Sequence, residues 1–325
     1  MPSDSHPWLV IVNPASGRPD GGFGWRRLEH ILQVAGLSFD AVQTQYPGHG
    51  ETLARQALHD GRRHILAVGG DGSVNEVVQG VMTAGLADTR EVTLAVAPTG
   101  TGNDWARSLG IGRNPNEIAR ALVTGRTMLH DVGAIDFPTG EAPRRWFINV
   151  AGAGYDAWVT ERVPRPVPSA VTYLRIALEG LARYQSPQFR ITADADTIEG
   201  RLLLAFVANA RYCGNRMHVA PAARMDDGLF DLLAVNELSL LQVLPKLAKL
   251  YGGRILGDPA VRHLRAAKVR IETEPSVVVQ ADGQIVGKTP AEFSLQPRCL
   301  AVVTAPGGPS PAGAAIHAGT APRSA

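Results

Sequence analysis

Lysine is nearly absent from the front of this chain. Only Lys246, Lys249, Lys268 and Lys288 occur, so an anion gripped anywhere before Lys246 must be gripped by arginine or by backbone N–H groups. Cysteine is scarcer. Cys213 and Cys299 are too few for a disulfide framework and have no metal-ligand spacing, which reads as two reduced thiols of a cytosolic protein. Long apolar runs are missing as well: nothing approaches the roughly 18 apolar residues of a membrane-crossing helix. The opening MPSDSHPWLVIVNP has no basic segment leading into an apolar one, so it does not read as a secretory leader. A transmembrane segment is excluded, while contact with a membrane surface stays open. Charge of one sign is lacking too. The formal net charge of +2 is too mild to argue for a nucleic-acid partner. The nine histidines form no H-E-x-x-H pair and no Cys/His cluster. A phosphate loop of the form G-x-x-x-x-G-K-[ST] is not there either, because GKT at Gly287–Thr289 has Asp282 where the first glycine belongs.

What is present is ordinary in bulk: 325 residues, 45% of them hydrophobic, enough for two domains with separate cores. The front third alternates. WLVIV, FDAVQT, HILAVGG and VTLAVAP read as strands, and the helical spacings at Trp25–Ala35, Glu51–Asp60, Ser73–Ala84, Asn103–Leu109 and Pro115–Thr124 fall between or after them. Continuous apolar strands alternating with helices predict a parallel sheet covered on both faces. From about Val132 the pattern changes to moderate strands separated by turn residues, which predicts a mainly antiparallel second domain. Helices at Ser169–Tyr184 and Leu238–Tyr251 interrupt it, the second bent at Pro245. The division expected is residues 1–131, 132–305 and a disordered Pro/Gly/Ala/Ser tail over 306–325.

In an open parallel sheet, ligands sit beyond the carboxyl ends of the strands. Three polar glycine-bearing turns follow three of the four front strands: Asn13-Pro14-Ala15-Ser16-Gly17, GGDGSVNE from Gly69 to Glu76, and PTGTGND from Pro98 to Asp104. They are expected to converge on one crevice. Each also has a structural explanation. Ser73 and Glu76 fit a capping box, Thr101 fits a helix cap with Asp104 opposite, and Asn13-Pro14 is a common turn opener. None of these explains Asp71, a carboxylate set between Gly70 and Gly72. GAGYDA at Gly152–Ala157 matches a dinucleotide pattern, but the prolines of VPRPVPS leave little room for the helix it needs. The basic stretch Arg262–Arg270 and the leucine stripe with Lys246 and Lys249 leave a membrane-surface role open.

GGDGSVNEV, with NPASG upstream and PTGTGNDWAR downstream, resembles the diacylglycerol kinase catalytic domain family, which includes bacterial soluble lipid kinases and sphingosine kinases. The likeness continues through GAGYDA, PAARMDDGLFDL and VVVQADGQ, in the family's order, from Leu9 to Ala305. It implies an N-terminal three-layer α/β domain, a C-terminal β-sandwich, and ATP bound in the cleft between them. Carried across, the ATP site is Asn13, Pro14, Ala15, Ser16, Gly17, Thr44, Gly70, Asp71, Gly72, Ser73, Val74, Asn75, Glu76 and Thr101. Glycine turns and helix N-termini suit polyphosphate, and Asp71 with Asp104 would hold a magnesium ion, through water, against it. The resemblance also implies a structural magnesium site made by Asp227 and the carbonyls of Arg224 and Leu229, against the simpler reading of a plain Asp-Gly hairpin.

The chain departs from the family at QADGQ. The usual Asp-Gly-Glu is here Asp282-Gly283-Gln284, and an amide is no proton acceptor near neutral pH. Asp282 could take the proton, the base could matter little in phosphoryl transfer, or the chain could bind nucleotide for another purpose. The expectation is an ATP- and magnesium-dependent kinase of a diacylglycerol-like or sphingoid lipid, cytoplasmic and peripheral to the membrane, with homodimer formation open. A soluble-substrate kinase of the NAD kinase type is the competing reading, disfavoured by the long second domain.

Overall fold

The computed structural model describes residues 7–16, 24–164 and 170–308. Four parallel strands lie in the order β2 (Phe39–Gln43), β1 (Trp8–Val12), β3 (His64–Gly69) and β4 (Thr93–Pro98). After their first residue, β1, β3 and β4 are buried at every position, so both faces of the sheet are covered. The covering helices pair up as α1 (Trp25–Val34) with α5 (Pro115–Thr124), and α2 (His49–His59) with α3 (Asp71–Met82). The short α4 (Asp104–Ser108) follows β4. Leu28 and Leu32 of α1, Ile118 and Leu122 of α5, Ala54 and Leu58 of α2, and Val77, Val78 and Val81 of α3 close one core over these strands.

The second half is antiparallel, as expected. Its strands are β5 (Thr127–Asp136), β6 (Arg145–Phe147), β7 (Val150–Gly154), β8 (Gln188–Ala193), β9 (Asp196–Ala208), β10 (Phe230–Asn236), β11 (Val261–Ala266), β12 (Lys268–Glu274), β13 (Val278–Ala281), β14 (Gln284–Lys288) and β15 (Ala291–Val303). Phe147, Phe189, Phe230 and Phe293 fill their core, with Phe147 stacked on Phe230 at 5.5 Å. Helices α6 (Tyr155–Arg162), α7 (Ala170–Arg183) and α8 (Leu240–Tyr251) flank it.

The two halves are joined by a strand pair. β15 runs antiparallel to β5 from Glu292 beside Asp136 to Val303 beside Thr127, and its end pairs parallel to β4 at Ala301 and Val302. Leu300, Val302 and Val303 thereby enter the first core although they are nearly the last apolar residues described. The junction expected at 131/132 falls inside β5, so it is a shared strand and no linker.

The local expectations fare differently. GAGYDA does open a helix, α6, despite the prolines that follow. It still builds no dinucleotide fold, because β7 pairs antiparallel to β9 and β13. α8 runs from Leu240 through Pro245 to Tyr251, and its Lys246 and Lys249 both reach Asp258, at 2.5 and 2.8 Å. Of the basic stretch, His263 meets Asp231, Arg265 meets Asp227, and Arg270 meets Glu272 and Glu292. Of the expected tail, Pro306–Gly308 form a turn closed by the Gly308 N–H on the Ala305 carbonyl at 2.8 Å; the remainder and Gly17 lie outside the described residues.

Candidate active site

The three glycine turns meet beyond the ends of β1, β3 and β4. Asn13 is the knot. Its N–H donates to the Val68 carbonyl (2.9 Å), its Nδ2 to Ser73 Oγ (2.9 Å), and its Oδ1 accepts from Ala15 N–H (3.0 Å). Ser16 Oγ sits 2.7 Å from Thr99 Oγ1, and Thr99 N–H donates to the Gly69 carbonyl at 3.0 Å. Thr44, past β2, donates its N–H to the Val12 carbonyl beside Asn13. Gly70 and Gly100 touch backbone to backbone: a Cβ on Gly100 would stand 2.6 Å from Gly70 Cα. That approach is the reason for glycine in both turns.

The capping-box reading of Ser73 and Glu76 does not hold. α3 begins at Asp71 with Gly70 as its cap, two residues earlier than the spacing suggested. Ser73 is engaged by Asn13, and the Glu76 carboxylate accepts from Gly48 N–H (2.8 Å) and Gly50 N–H (3.0 Å), tying α3 to the start of α2. Val74 is a core residue, 1% exposed. Asn75 turns away from the turn cluster, donating to Asp282 Oδ2 at 2.9 Å and to the Trp146 carbonyl at 3.1 Å. Thr101 does not cap α4, which starts from Asn103.

Asp71 takes the capping work. Its Oδ1 accepts from Trp105 N–H (3.1 Å) and its Oδ2 from Asp104 N–H (3.2 Å), at the start of α4. Burial, then the charge of Asp104, holds the Asp71 carboxyl above the usual range. Asp104 is 3% exposed. It accepts from Asn215 N–H and Arg216 N–H, both at 2.8 Å, and pairs with Arg107 at 2.9 Å. Its carboxylate therefore bridges the first half to the loop after β9. A Cβ on Gly102 would lie 2.9 Å from Asp71 Oδ2 and 3.5 Å from Asp104 Oδ2, so the two carboxylates converge on one bare residue. The oxygens beside that gap, Asp71 Oδ2 and Asp104 Oδ2, each accept one backbone N–H, while Arg107 holds the other oxygen of Asp104, which leaves room for a hydrated divalent cation. Arg113 braces this turn from outside, donating to the carbonyls of Gly100 and Thr101.

The hairpin of β13 and β14 closes the other side. Gln284 Nε2 is 3.8 Å from the place a Cβ on Gly72 would take. Asp282, at the turn with φ of 47°, is locked by four donors: Ile148, Asn149 and Val150 N–H at 3.0–3.1 Å, and Asn75. Burial pushes its carboxyl up to about 6 against those donors. The Cys213 thiol lies in the loop after β9. It is raised well above its usual value, first by burial and then by Asp104, Asp156, Asp71 and Asp282.

The 224/227/229 set is arranged differently from a cation cage. Asp227 Oδ1 accepts from Leu229 N–H at 3.2 Å, while its Oδ2 meets the guanidinium of Arg265 and stands 3.9 Å from that of Arg224. The carboxylate is already neutralised by arginine, so the residues as they stand do not fit a bound metal. Among the described residues no group of three His, Cys, Asp or Glu side chains forms a metal cluster.

Several residues were not singled out from sequence. Gln79 of α3 donates to the Trp146 carbonyl (2.5 Å) and accepts Trp146 N–H (3.1 Å), a buried two-way clamp between the halves. Asp131 accepts from Gly228 N–H (2.7 Å) and Arg298 N–H (2.6 Å), and burial pushes it up to about 6. His130, held neutral by burial at about 4, accepts from Trp105 Nε1 at 3.1 Å. A position-by-position reading offers little signal for such residues, because their partners lie far away in the chain.

No helix among the described residues is long and apolar enough to cross a membrane. Comparison with known proteins places both halves. Residues 7–135 match the diacylglycerol kinase catalytic domain, and residues 149–304 match the YegS C-terminal NAD kinase beta sandwich-like domain. The chain is 28% identical over 295 residues to the diacylglycerol kinase of Bacillus subtilis (strain 168), covering 87% of this chain and 91% of that one. It is 29% identical over 290 residues to the diacylglycerol kinase of Staphylococcus aureus (strain MRSA252), covering 87% and 88%. A crystal structure of a diacylglycerol kinase from Bacillus anthracis str. Sterne superposes with a TM-score of 0.72 at 22% identity, over 93% of this chain and 98% of that one, which speaks to the fold. With both domain matches in the order of the three glycine turns and the Asp-Gly hairpin, the chain carries a diacylglycerol kinase catalytic domain followed by a YegS C-terminal NAD kinase beta sandwich-like domain.

Proposed function

We propose that this protein is an ATP- and magnesium-dependent lipid kinase that phosphorylates the hydroxyl of a diacylglycerol-like lipid, giving a phosphatidic-acid-type product. One observation supports this above the rest: Gln284 of the second half lies against Gly72 of the first, on the turn whose Asp71 converges with Asp104. A nucleotide placed on that turn would present its phosphates toward the seam between the halves. The backbone of Asn13–Ser16, Gly70–Ser73 and Thr101 would receive the phosphates, aided by the N-terminus of α3. Asp71 and Asp104 would hold magnesium through water, and the ion supplies charge neutralisation on the triphosphate. Asp71 is already the cap of α4, so its rotamer is set before any ligand arrives. Asp282 is read as the residue that fixes the hairpin against α3, with its oxygens engaged by four donors. The enzyme would meet its substrate at the membrane surface from the aqueous side.

The test is transfer from radiolabelled ATP to a panel of lipids in detergent mixed micelles. Labelled phosphatidic acid from diacylglycerol is the expected product. Transfer to a sphingoid base alone would move the acceptor class. Intact nucleotide binding with transfer to no lipid would sink the proposal, and NAD as acceptor checks the soluble-substrate alternative. A second reading, a nucleotide-binding module without turnover, is favoured by Gln284 itself. Gln284→Glu separates the two: a large gain from an inactive wild type would support the second reading.

A further inference from the structure

A cavity of about 550 Å³ opens beside the turn from Pro98 to Asp104. Thr101 and Asn103 of that turn line it, with Arg107 of α4, Arg113 of the loop before α5, and Asn215 and Arg216 of the loop after β9. No residue of Asn13–Ser16 or Gly69–Ser73 is among its walls. Only the third glycine turn is therefore shared between the crevice and this cavity, which sits where the first half meets the second.

Its charge is one-sided. None of the residues lining it is acidic, and three are arginines. Arg107 is balanced by Asp104, whose Oδ1 accepts from Arg107 Nη1 at 2.9 Å. The same oxygen accepts from Arg216 N–H at 2.8 Å, so one buried carboxylate holds the Arg107 guanidinium and the Arg216 backbone side by side. Arg113 donates through Nη2 to the carbonyls of Gly100 and Thr101, the second at 3.2 Å, which sets its guanidinium against the cavity wall. Neither the Arg113 nor the Arg216 side chain, both exposed, forms an ion pair among the described residues. Uncompensated cations gathered on one cavity repel each other until an anion joins them. The adjoining recess is different: Glu117 and Arg120 stand there together, opposite in sign.

We propose that this cavity binds a phosphate group that does not belong to the nucleotide, carried by an acidic phospholipid headgroup or by a free phosphate ester. A planar guanidinium offers two parallel N–H groups to two phosphate oxygens. Arg113 reaches such a group from the first half and Arg216 from the second, while Arg107 adds the N–H groups that Asp104 leaves unused. The volume admits the ester as well as its phosphate. Binding there ties the loop before α5 to the loop whose N–H groups hold Asp104. The site does not depend on which hydroxyl the protein phosphorylates.

The experiment measures binding of radiolabelled inorganic phosphate and of sn-glycerol 3-phosphate to the full chain by equilibrium dialysis. Magnesium and a saturating non-hydrolysable ATP analogue are present, so that the glycine turns are occupied. A second arm measures co-sedimentation with phosphatidylcholine vesicles, with and without phosphatidylglycerol. Binding of the soluble phosphates supports the site with a free ester as its source. Binding confined to vesicles containing phosphatidylglycerol supports it with a headgroup as the source. In whichever arm binds, Arg216→Gln should weaken the affinity by about tenfold or more, because charge-assisted hydrogen bonds are lost. Arg216→Lys, which keeps the charge, should lose less. Absence of binding in both arms overturns the site, as does binding that Arg216→Gln leaves intact. Equal losses in the two variants mark a structural role and overturn it too. Soluble phosphate that binds only when the analogue is left out belongs to the glycine turns, which also overturns the proposal. A chain that binds no nucleotide yet keeps phosphate binding dependent on Arg216 would sink the kinase reading and leave this site standing.

Discussion

The Asn75 amide donates to Asp282 at 2.9 Å, across 207 positions of the chain. The same nitrogen donates to the Trp146 carbonyl, and Gln79, one turn on, brackets the Trp146 peptide from both sides. Helix α3 therefore has two tasks. Its first turn lines the crevice of the glycine turns, and its next turn docks the second half. Asn75→Ala should destabilise the fold by about 1–3 kcal/mol, because it leaves a buried carboxylate and a carbonyl short of a donor. Urea denaturation followed by tryptophan fluorescence measures it. An unchanged midpoint would show the clamp to be idle.

The approach of Gly100 to Gly70 predicts a graded pair of substitutions. At Gly100 a methyl group would stand 2.6 Å from Gly70 Cα, and at Gly70 it would stand 3.3 Å from Gly100 Cα. Gly100→Ala should weaken binding of a fluorescent ATP analogue by about tenfold or more, since the two glycine turns are forced apart, and Gly70→Ala should do less. Equal affinities for both variants and the wild type would show that this spacing is not needed.

Asp71 predicts a separation of activity from stability. Asp71→Asn keeps one acceptor for the start of α4 and removes a buried charge that stands against Asp104. Unfolding free energy should change by no more than about 1 kcal/mol, while phosphoryl transfer should fall by about 10²-fold or more. A large loss of stability would mean that the residue acts chiefly as a cap.

Arg265 on Asp227 predicts a second half whose stability ignores magnesium. Without nucleotide, the melting temperature of the wild type should be the same with chelator or with millimolar magnesium. Arg265→Gln should lower it, because Asp227 loses its counter-charge. A wild-type melting temperature that rises with magnesium would restore the cation site at Arg224, Asp227 and Leu229.

Buried aspartates set the acid dependence. Asp131, Asp156 and Asp282 are each pushed up to about 6 by burial, whereas an unfolded aspartate titrates near about 4. The folded state therefore binds these protons at higher pH than the unfolded state does. Their stabilising contribution is full below about pH 4 and is lost as pH rises through 6. Asp156→Asn removes one such titration, so its stability relative to wild type should rise between pH 4 and pH 7, by up to about 3 kcal/mol. Denaturation midpoints at several pH values measure the difference, and a flat difference would place Asp156 in a wetter setting.

The local grammar of the chain determined much of this protein. Apolar runs such as HILAVGG specify buried parallel strands because such strands must be apolar on both faces, and all four front strands occur where their runs stand. The change near Val132 marks the antiparallel half for the same kind of reason. Glycine turns at strand ends locate the crevice, since only bare backbone allows Gly70 and Gly100 to touch. Tertiary structure alone decided how each polar side chain is used. Ser73 and Glu76 sit at capping-box spacing, yet one serves Asn13 and the other serves Gly48 and Gly50. Asp282 and Asp156 are both plain carboxylates in sequence, but one is saturated by donors and the other keeps an open oxygen. Spacing along the chain governs hydrogen bonds within a turn, whereas a buried polar group is satisfied by whatever the packed fold brings beside it.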